Sequence, residues 1–312
     1  MDFILIASGL LFLIIGGSWL LKAAVGFSLR LNIPKVVIGM TVVSFATSAP
    51  ELIVSLKAAL DGQADLALGN VIGSNIANLG LVLGITTILS TISIQKSFYK
   101  IDWPVMMLSS IALFLLISFD GIIQFYEGAA LVTLLIVFLV YLLKFQKTDA
   151  VVDELPEAGV ELPLYKDVLF LALGGFALWG GSELLIKGSI SMAQDFGVST
   201  RVIGVTIVSL GTSIPELAAS VIAVLKKEKA ISLGNLIGSN IFNIGSVLGL
   251  TAMISPLKVD SKMLENDIFW MLGVAFILVP LTLLPKQNIF SRYKGFILIT
   301  GYILFMYMLF AK

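Results

Sequence analysis

The sequence predicts an all-α integral membrane protein of ten transmembrane helices, built as two inverted five-helix repeats. Three observations carry that expectation: a surplus of apolar residues, ten hydrophobic runs of spanning length, and an internal duplication. Of the 312 residues, 58% are hydrophobic and 13% charged, against about 45–50% apolar and about 25% charged in soluble domains. Mean hydropathy is +1.03, and so much apolar surface needs lipid to cover it. A disordered chain, a nucleic-acid-binding domain and a disulfide-rich secreted scaffold are excluded. With no cysteine and no histidine, so are thiolate metal centres, haem-ligating histidine and imidazole proton relays. Any ion chemistry must use oxygen ligands, and no cofactor is expected.

The hydrophobic runs fall at roughly 3–29, 36–60, 66–92, 102–119, 122–144, 168–193, 202–225, 230–255, 267–284 and 293–311, near the ~20 residues that cross a bilayer as helix. They are too long for strands and lack barrel alternation. The first has no basic leader and exceeds a signal peptide's apolar core, so it is read as a retained span. Ten spans place both termini on one side. With that side outside, the inner loops hold thirteen Lys and Arg, among them Arg30, Lys35, Lys96, Lys144, Lys166 and Lys226. The outer side holds five: Lys57, Arg201, Lys258, Lys262 and Lys312. Basic residues collect in cytoplasmic loops, so both termini are expected outside the cytoplasm of a cell-membrane protein.

The connection 146–167 is long and polar. It carries Asp149, Asp153, Glu154, Glu157, Glu161 and Asp167 without the spacing or turn glycine of an EF-hand, and is read as a solvated cytoplasmic linker. It separates a first five-helix repeat, 1–145, from a second, 168–312. Residues 39–56 (GMTVVSFATSAPELIVSL) match 204–221 (GVTIVSLGTSIPELAASV) at ten of eighteen positions. Residues 69–86 (GNVIGSNIANLGLVLGIT) match 234–251 (GNLIGSNIFNIGSVLGLT) at thirteen of eighteen, at the same offset of 165. Hydrophobicity alone would not align Gly, Asn, Ser, Thr, Pro and Glu. An odd number of spans per copy inverts the second copy, and inverted repeats with broken midplane helices are a signature of secondary transporters.

In the second span Ser44, Thr47, Ser48, Glu51 and Ser55 recur every three or four residues and form one stripe. Pro50 removes a helix N–H and frees carbonyls upstream, which can ligate a hard cation. Ser209, Thr212, Ser213, Glu216 and Ser220 with Pro215 repeat the device. The third span aligns Asn70, Ser74 and Asn78 on one face, and the eighth aligns Asn235, Ser239 and Asn243. Asn75 and Asn240 lie off that stripe and read as interhelical hydrogen-bonding groups. Gly69, Gly73, Gly80 and Gly84, with Gly234, Gly238, Gly245 and Gly249, supply small-xxx-small faces. Four such stripes are expected to converge on one oxygen-lined pocket suited to Na⁺ or Ca²⁺. A carboxylate inside a span is costly and usually functional, which singles out Glu51 and Glu216. Glu183 has Lys187 four residues on and reads as an ion pair within a helix.

These paired segments, SFATSAPE and SLGTSIPE, each followed by GNxIGSNIxN, resemble the alpha repeats of the calcium/cation antiporter superfamily, closest to its sodium/calcium exchanger branch. The strongest similarity covers 39–86 and 204–251. The resemblance implies exchange of Ca²⁺ for several Na⁺ by alternating access, with ions and the bilayer as the only evident partners. It assigns Glu51 and Glu216 to both ions and Thr47 and Thr212 to the calcium shell. Ser48, Ser213, Ser74 and Ser239 become sodium ligands through side chains, and Ser44 and Ser209 through carbonyls. Asn78 and Asn243 form the midplane polar pair. An aspartate stands at the position of Asn243 in some microbial members and in potassium-dependent exchangers, and proton-coupled relatives carry GNxxE where this chain has TSxPE. Potassium-dependent or proton-coupled antiport, and a passive cation channel, are the alternatives. The first and sixth spans, with glycine pairs at Gly16-Gly17 and Gly180-Gly181, are expected to bend or slide past the core as the moving parts.

Overall fold

A computed structural model of the chain describes residues 2–145, 163–195, 209–259, 263–284 and 288–311. The acidic stretch 146–162, Arg201 and the start of the expected seventh span lie outside the described residues. Helix dominates throughout. In chain order come α1 (Asp2–Leu31), α2 (Lys35–Ile38), a π-helical segment Gly39–Val43, α3 (Ser44–Thr47), α4 (Ala49–Leu60) and α5 (Ala64–Ala77). A π segment Asn78–Val82 and α6 (Leu83–Leu89) precede strand β1 (Ile92–Ser93). A π segment Phe98–Asp102 leads into α7 (Trp103–Asp120), followed by β2 (Ile122–Ile123) and α8 (Phe125–Phe145). The second half runs α9 (Leu164–Asp195), α10 (Ser209–Gly211), α11 (Ile214–Leu225), α12 (Lys229–Phe242), a π segment Asn243–Leu248 and α13 (Gly249–Ile254). Then follow β3 (Leu257–Lys258), a π segment Met263–Asp267, α14 (Ile268–Leu283), β4 (Ile289–Phe290) and α15 (Arg292–Ala311).

Among the described residues seven helices are long and apolar enough to cross a membrane, and eight if the broken pair 35–47 and 49–60 is one span. The protein is an all-helical, multi-pass membrane protein. Its only strands, among the described residues, are two-residue antiparallel pairs between connections. Ile92 and Ser93 face Phe290 and Ile289, and Ile122 and Ile123 face Lys258 and Leu257.

The copies share backbone detail as well as sequence. Seven element pairs begin 165 residues apart: α3 and α10, α4 and α11, α5 and α12, α7 and α14, β1 and β3, and the π segments at Asn78 and Asn243 and at Phe98 and Met263. The helix-starting serines are nearly superposable in dihedral space, Ser48 at φ −88°, ψ 3° and Ser213 at φ −87°, ψ 2°. The turn after α4 uses Gly62 at φ 75°, and the matching turn after α11 uses Lys227 at φ 65°. Gln63 N–H donates to Ala58 O and Glu228 N–H to Ala223 O, both at 2.8 Å, so the same left-handed turn is made twice. Glycine adopts that conformation freely, whereas a side chain costs about 1–2 kcal/mol there.

The chain forms two compact units, each drawing on both sequence halves. One comprises Met1–Thr47 and Val140–Asn235, the other Ser48–Leu139 and Leu236–Lys312. In the first unit α1 and α9 lie backbone to backbone. A Cβ on Gly16 would meet Gly174 O at 2.9 Å, and one on Gly181 would meet Gly9 O at 2.9 Å. Gly16 and Gly181 therefore hold the two helices together, and α1 is one continuous helix through Gly16-Gly17. Gly17 instead receives Ile222 of α11, while a Cβ on Gly180 would meet nothing within 4 Å among the described residues. Gly39 abuts the backbone of α12, where a Cβ would stand 2.5 Å from Ile231 O. The ends of this unit carry ion pairs between Arg30 and Asp167 (3.4 Å) and between Lys35 and Glu228 (2.7 Å). The Glu183–Lys187 pair is present at 3.9 Å.

In the second unit the small-residue faces find partners that the sequence reading did not name. Gly80 and Gly84 pack on Tyr302 and Ile299 of α15, whereas Gly245 and Gly249 pack on Leu135 and Val132 of α8. Each copy's glycine face thus receives the last helix of the other copy. A Cβ on Gly73 would meet nothing within 4 Å among the described residues.

Two outcomes are expected. Lys227→Gly should raise stability by about 1 kcal/mol and Gly62→Ala should lower it by a similar amount, read from thermal unfolding in detergent. Cysteines placed singly at Lys57 and Lys258 should react with an impermeant thiol reagent on intact cells, while those at Lys96 and Lys144 should need permeabilisation.

Candidate cation-binding site

Each glutamate enters its helix in the same way. The chain breaks at Ser48 and Ser213, the next helix carries proline in its first turn, and Glu51 and Glu216 fall in that turn. Proline is tolerated there because the first N–H groups have no intrahelical partner. The break therefore lies at the serines, with Pro50 and Pro215 starting helices rather than kinking continuous ones. The serine-to-glutamate spacing matches a capping box, yet neither serine makes a side-chain cap. The hydroxyl of Ser213 has no hydrogen-bond partner. Both glutamates are fully buried, at 0% exposure, near the positive ends of their helices, where the backbone dipole favours negative charge.

In the first unit, α11 with Glu216 packs against α3, which carries Ser44 and Thr47. Asn235 organises this cluster. Its Oδ1 accepts from Thr47 Oγ1 (3.2 Å), its main-chain carbonyl lies 2.9 Å from Ser44 Oγ, and its Nδ2 donates to Ser220 Oγ (3.1 Å). Thr212 is half-buried, unlike fully buried Thr47. Ser209 begins α10.

In the second unit, α4 with Glu51 packs against α5 and against the π segment that begins at Asn243. Asn70 Nδ2 donates to Ser55 Oγ at 3.0 Å, the counterpart of the Asn235–Ser220 bond at the same offset. Ser74, Asn78, Ser239 and Asn243 are all buried. Asn78 and Asn243 are bound into a reciprocal network with Asn75 and Asn240. Asn78 Nδ2 donates to Asn240 Oδ1 (3.2 Å) and Asn243 Nδ2 to Asn75 Oδ1 (3.1 Å). Asn75 Nδ2 donates to Asn240 O (3.4 Å) and Asn240 Nδ2 to Asn75 O (3.2 Å). Every bond maps onto another when the copies are exchanged. The expected interhelical role of Asn75 and Asn240 is thus present, and it has a consequence for the stripe. With their amide N–H groups engaged, Asn78 and Asn243 turn buried Oδ1 atoms that accept no hydrogen bond. Such oxygens suit a hard cation.

Asn70 and Ser55, and Asn235 and Ser220, fix hydroxyls beside the glutamate helices and belong with the candidate residues. Their equal spacing of fifteen in both copies was the available signal. Among the described residues no three Asp, Glu, His or Cys cluster as a metal site. Glu51 and Glu216 thus belong to no such cluster, and the elements packed on their helices carry hydroxyl and amide oxygens.

Buried carboxylates at broken membrane helices, flanked by neutral oxygen donors in a duplicated frame, define a membrane cation antiporter. The sodium/calcium exchanger protein family matches residues 1–144 and 166–311, and the chain belongs to that family. Its members are transport proteins, not enzymes. The chain is similar to CaxA of Alkalimonas amylolytica, 37% identical over 315 residues covering 99% of this chain and 98% of that one. It is also similar to the sodium/calcium exchanger MaX1 of Methanosarcina acetivorans, 30% identical over 356 residues with the same coverage of 99% and 98%. The structure resembles that of the sodium-calcium exchanger NCX_Mj soaked with zero Na⁺ and Ca²⁺, with TM-score 0.84 and 28% identity over 99% of this chain and 98% of that one.

Removing Asn75 or Asn240 strands an amide donor in a buried setting, so Asn75→Ala or Asn240→Ala should cost about 1–3 kcal/mol. Because the two residues share one network, the double variant should cost less than the sum, as thermal unfolding in detergent would read.

Proposed function

We propose that the chain exchanges Ca²⁺ against Na⁺, electrogenically and by alternating access, across the cell membrane. The observation that carries this reading is the pair of fully buried glutamates, Glu51 and Glu216, each in the first turn of a matched broken helix. Family membership and the names of MaX1 and NCX_Mj support sodium as the driving ion. Glu51 and Glu216 act as the charged ligands of both ions. Thr47 and Thr212 complete the calcium shell, and Ser44, Ser48, Ser74, Ser209, Ser213 and Ser239 serve sodium. Asn78 and Asn243 offer amide oxygens at the midplane.

Charge makes the coupling obligatory. Two carboxylates carry about −2, which one Ca²⁺ or a set of Na⁺ offsets. A partly emptied site retains buried charge, whose desolvation costs several kcal/mol, so only ion-loaded states change access. Ten spans as inverted repeats, with halves 1–145 and 168–312 joined by a cytoplasmic linker, supply the two related pathways. The reciprocal asparagine bonds and matched turns are what a twofold relation between copies produces. Pairings between connections respect the alternation of ten spans. Ile92, at the inner end of its run, faces Phe290 of a loop read as inner, and Ile122, at the outer end of its run, faces Lys258 of a loop read as outer. Tied through their glycines, α1 and α9 move as one body, sliding over α11 where Gly17 leaves α1 smooth.

Reconstituted into proteoliposomes, the protein should take up ⁴⁵Ca²⁺ when an outward Na⁺ gradient is imposed. A pH gradient alone should drive none, and K⁺ should be dispensable. Uptake driven by pH but not by Na⁺ would replace this reading with proton-coupled exchange, and uptake without any counter-ion would indicate a channel. Glu51→Gln and Glu216→Gln should each lower exchange by about a hundredfold or more. Glu183→Gln, which disrupts an exposed pair, should leave it near normal.

A further inference from the structure

The first unit holds a cavity of about 710 Å³ that plays no part in the cation site. It lies between the second half of α1, the first turn of α9 and the turn joining α11 to α12. Its polar lining is cationic: Lys22, Arg30, Lys166 and Lys226, against Asp167 and Glu228. Both acids are already matched, since Asp167 Oδ2 meets Arg30 at 3.4 Å and Glu228 meets Lys35 at 2.7 Å. Among the described residues, Lys22, Lys166 and Lys226 are thus in excess. Lys22 is exposed in the last third of α1, over the ring of Phe170 at 5.5 Å, where a long basic side chain reaches toward lipid headgroups while its stem lies on apolar surface. The rest of the lining is hydrocarbon, including Leu21, Val25, Leu29 and Leu169. Leu169 is half exposed on the outer surface of α9.

A lysine-rich cavity repels the cations this family carries, so it is a poor entry route for them. It suits an anion that brings its own apolar tail. We infer that the cavity binds an anionic phospholipid. The headgroup phosphate lies among Lys22, Lys166 and Lys226, and an acyl chain runs along Leu21, Val25 and Phe170 toward the lipid. Basic pockets between membrane helices recognise anionic headgroups in this way. The lipid is favoured over a free phosphate because the apolar wall continues onto the lipid-facing surface of α9, where Leu169 and Phe176 are exposed. Because the same cavity is walled by both α1 and α9, a bound lipid would bridge the pair read above as mobile. The binding itself does not depend on that reading or on the transported ion.

Native mass spectrometry of the detergent-purified full chain tests this with phosphatidylglycerol and phosphatidylcholine of equal chain length. The wild type should retain phosphatidylglycerol about tenfold more strongly, and combined Lys22→Gln, Lys166→Gln and Lys226→Gln should reduce it to the phosphatidylcholine level. The matching arginine substitutions should preserve the preference, as should Lys258→Gln. Size-exclusion elution identifies folded variants, and if the triple variant fails there, Lys22→Gln alone should lower the preference roughly fivefold. Equal retention of the two lipids by the wild type would overturn the inference, and so would a preference unchanged in folded glutamine variants. Glycerol phosphate binding as tightly as the intact lipid would also overturn it.

Discussion

A carboxylate buried at membrane depth is the constraint from which most of this structure follows. Ionised and unpartnered, it would cost several kcal/mol, so the protein must supply favourable charge nearby and admit a cation. The broken helices meet the first need, since each glutamate stands in the first turn of a helix whose dipole is positive there. The same break makes proline admissible at Pro50 and Pro215. It also places a serine before each helix whose hydroxyl is not consumed in capping. Glutamate, proline and serine are therefore one device, and losing any of them changes the setting of the others.

The second need governs the neighbours. An oxygen that already accepts a hydrogen bond is a weaker ligand than one held in place without doing so. The asparagine network achieves that by engaging the N–H side of Asn78 and Asn243 and leaving their Oδ1 atoms clear. An aspartate at 243 could not donate to Asn75 Oδ1, so the amide found here is part of the network as well as a change in site charge. Because each bond has a mirror in the other copy, a single arrangement of four side chains orients two potential ligands at once.

Periodicity and repetition made the helices, the duplication and the polar stripes legible, because those depend on spacing along one chain. Glu51 and Glu216 stood out because charge within an apolar span has few explanations. The uses of individual glycines were less legible. Gly16 and Gly181 fasten α1 to α9, Gly80 and Gly84 receive α15, and a Cβ on Gly73 would meet nothing among the described residues. Spacing reveals a smooth face but not what covers it. Nor could the sequence show that Asn235 links Ser44, Thr47 and Ser220, since those contacts reach up to 191 residues along the chain. The π segments and the two-residue β pairings likewise depend on tertiary partners that no local propensity encodes.

The poverty of the site in charge is itself mechanistic. Affinity for a hard cation rises with the number of charged ligands and the rigidity of the cage, and a cluster of three or four acids would hold Ca²⁺ too firmly to yield it to Na⁺. In each unit the buried glutamate has no cluster of further acids around it among the described residues, and the elements packed on its helix carry hydroxyl and amide groups. Neutral oxygens can be exchanged for water or for another ion with little change in buried charge, so one occupant can displace another stepwise. In the exchange proposed above, the two carboxylates meanwhile keep the total cation charge close to fixed. Weak neutral ligands thus allow release, whereas the buried charge forbids an empty return, and exchange requires both.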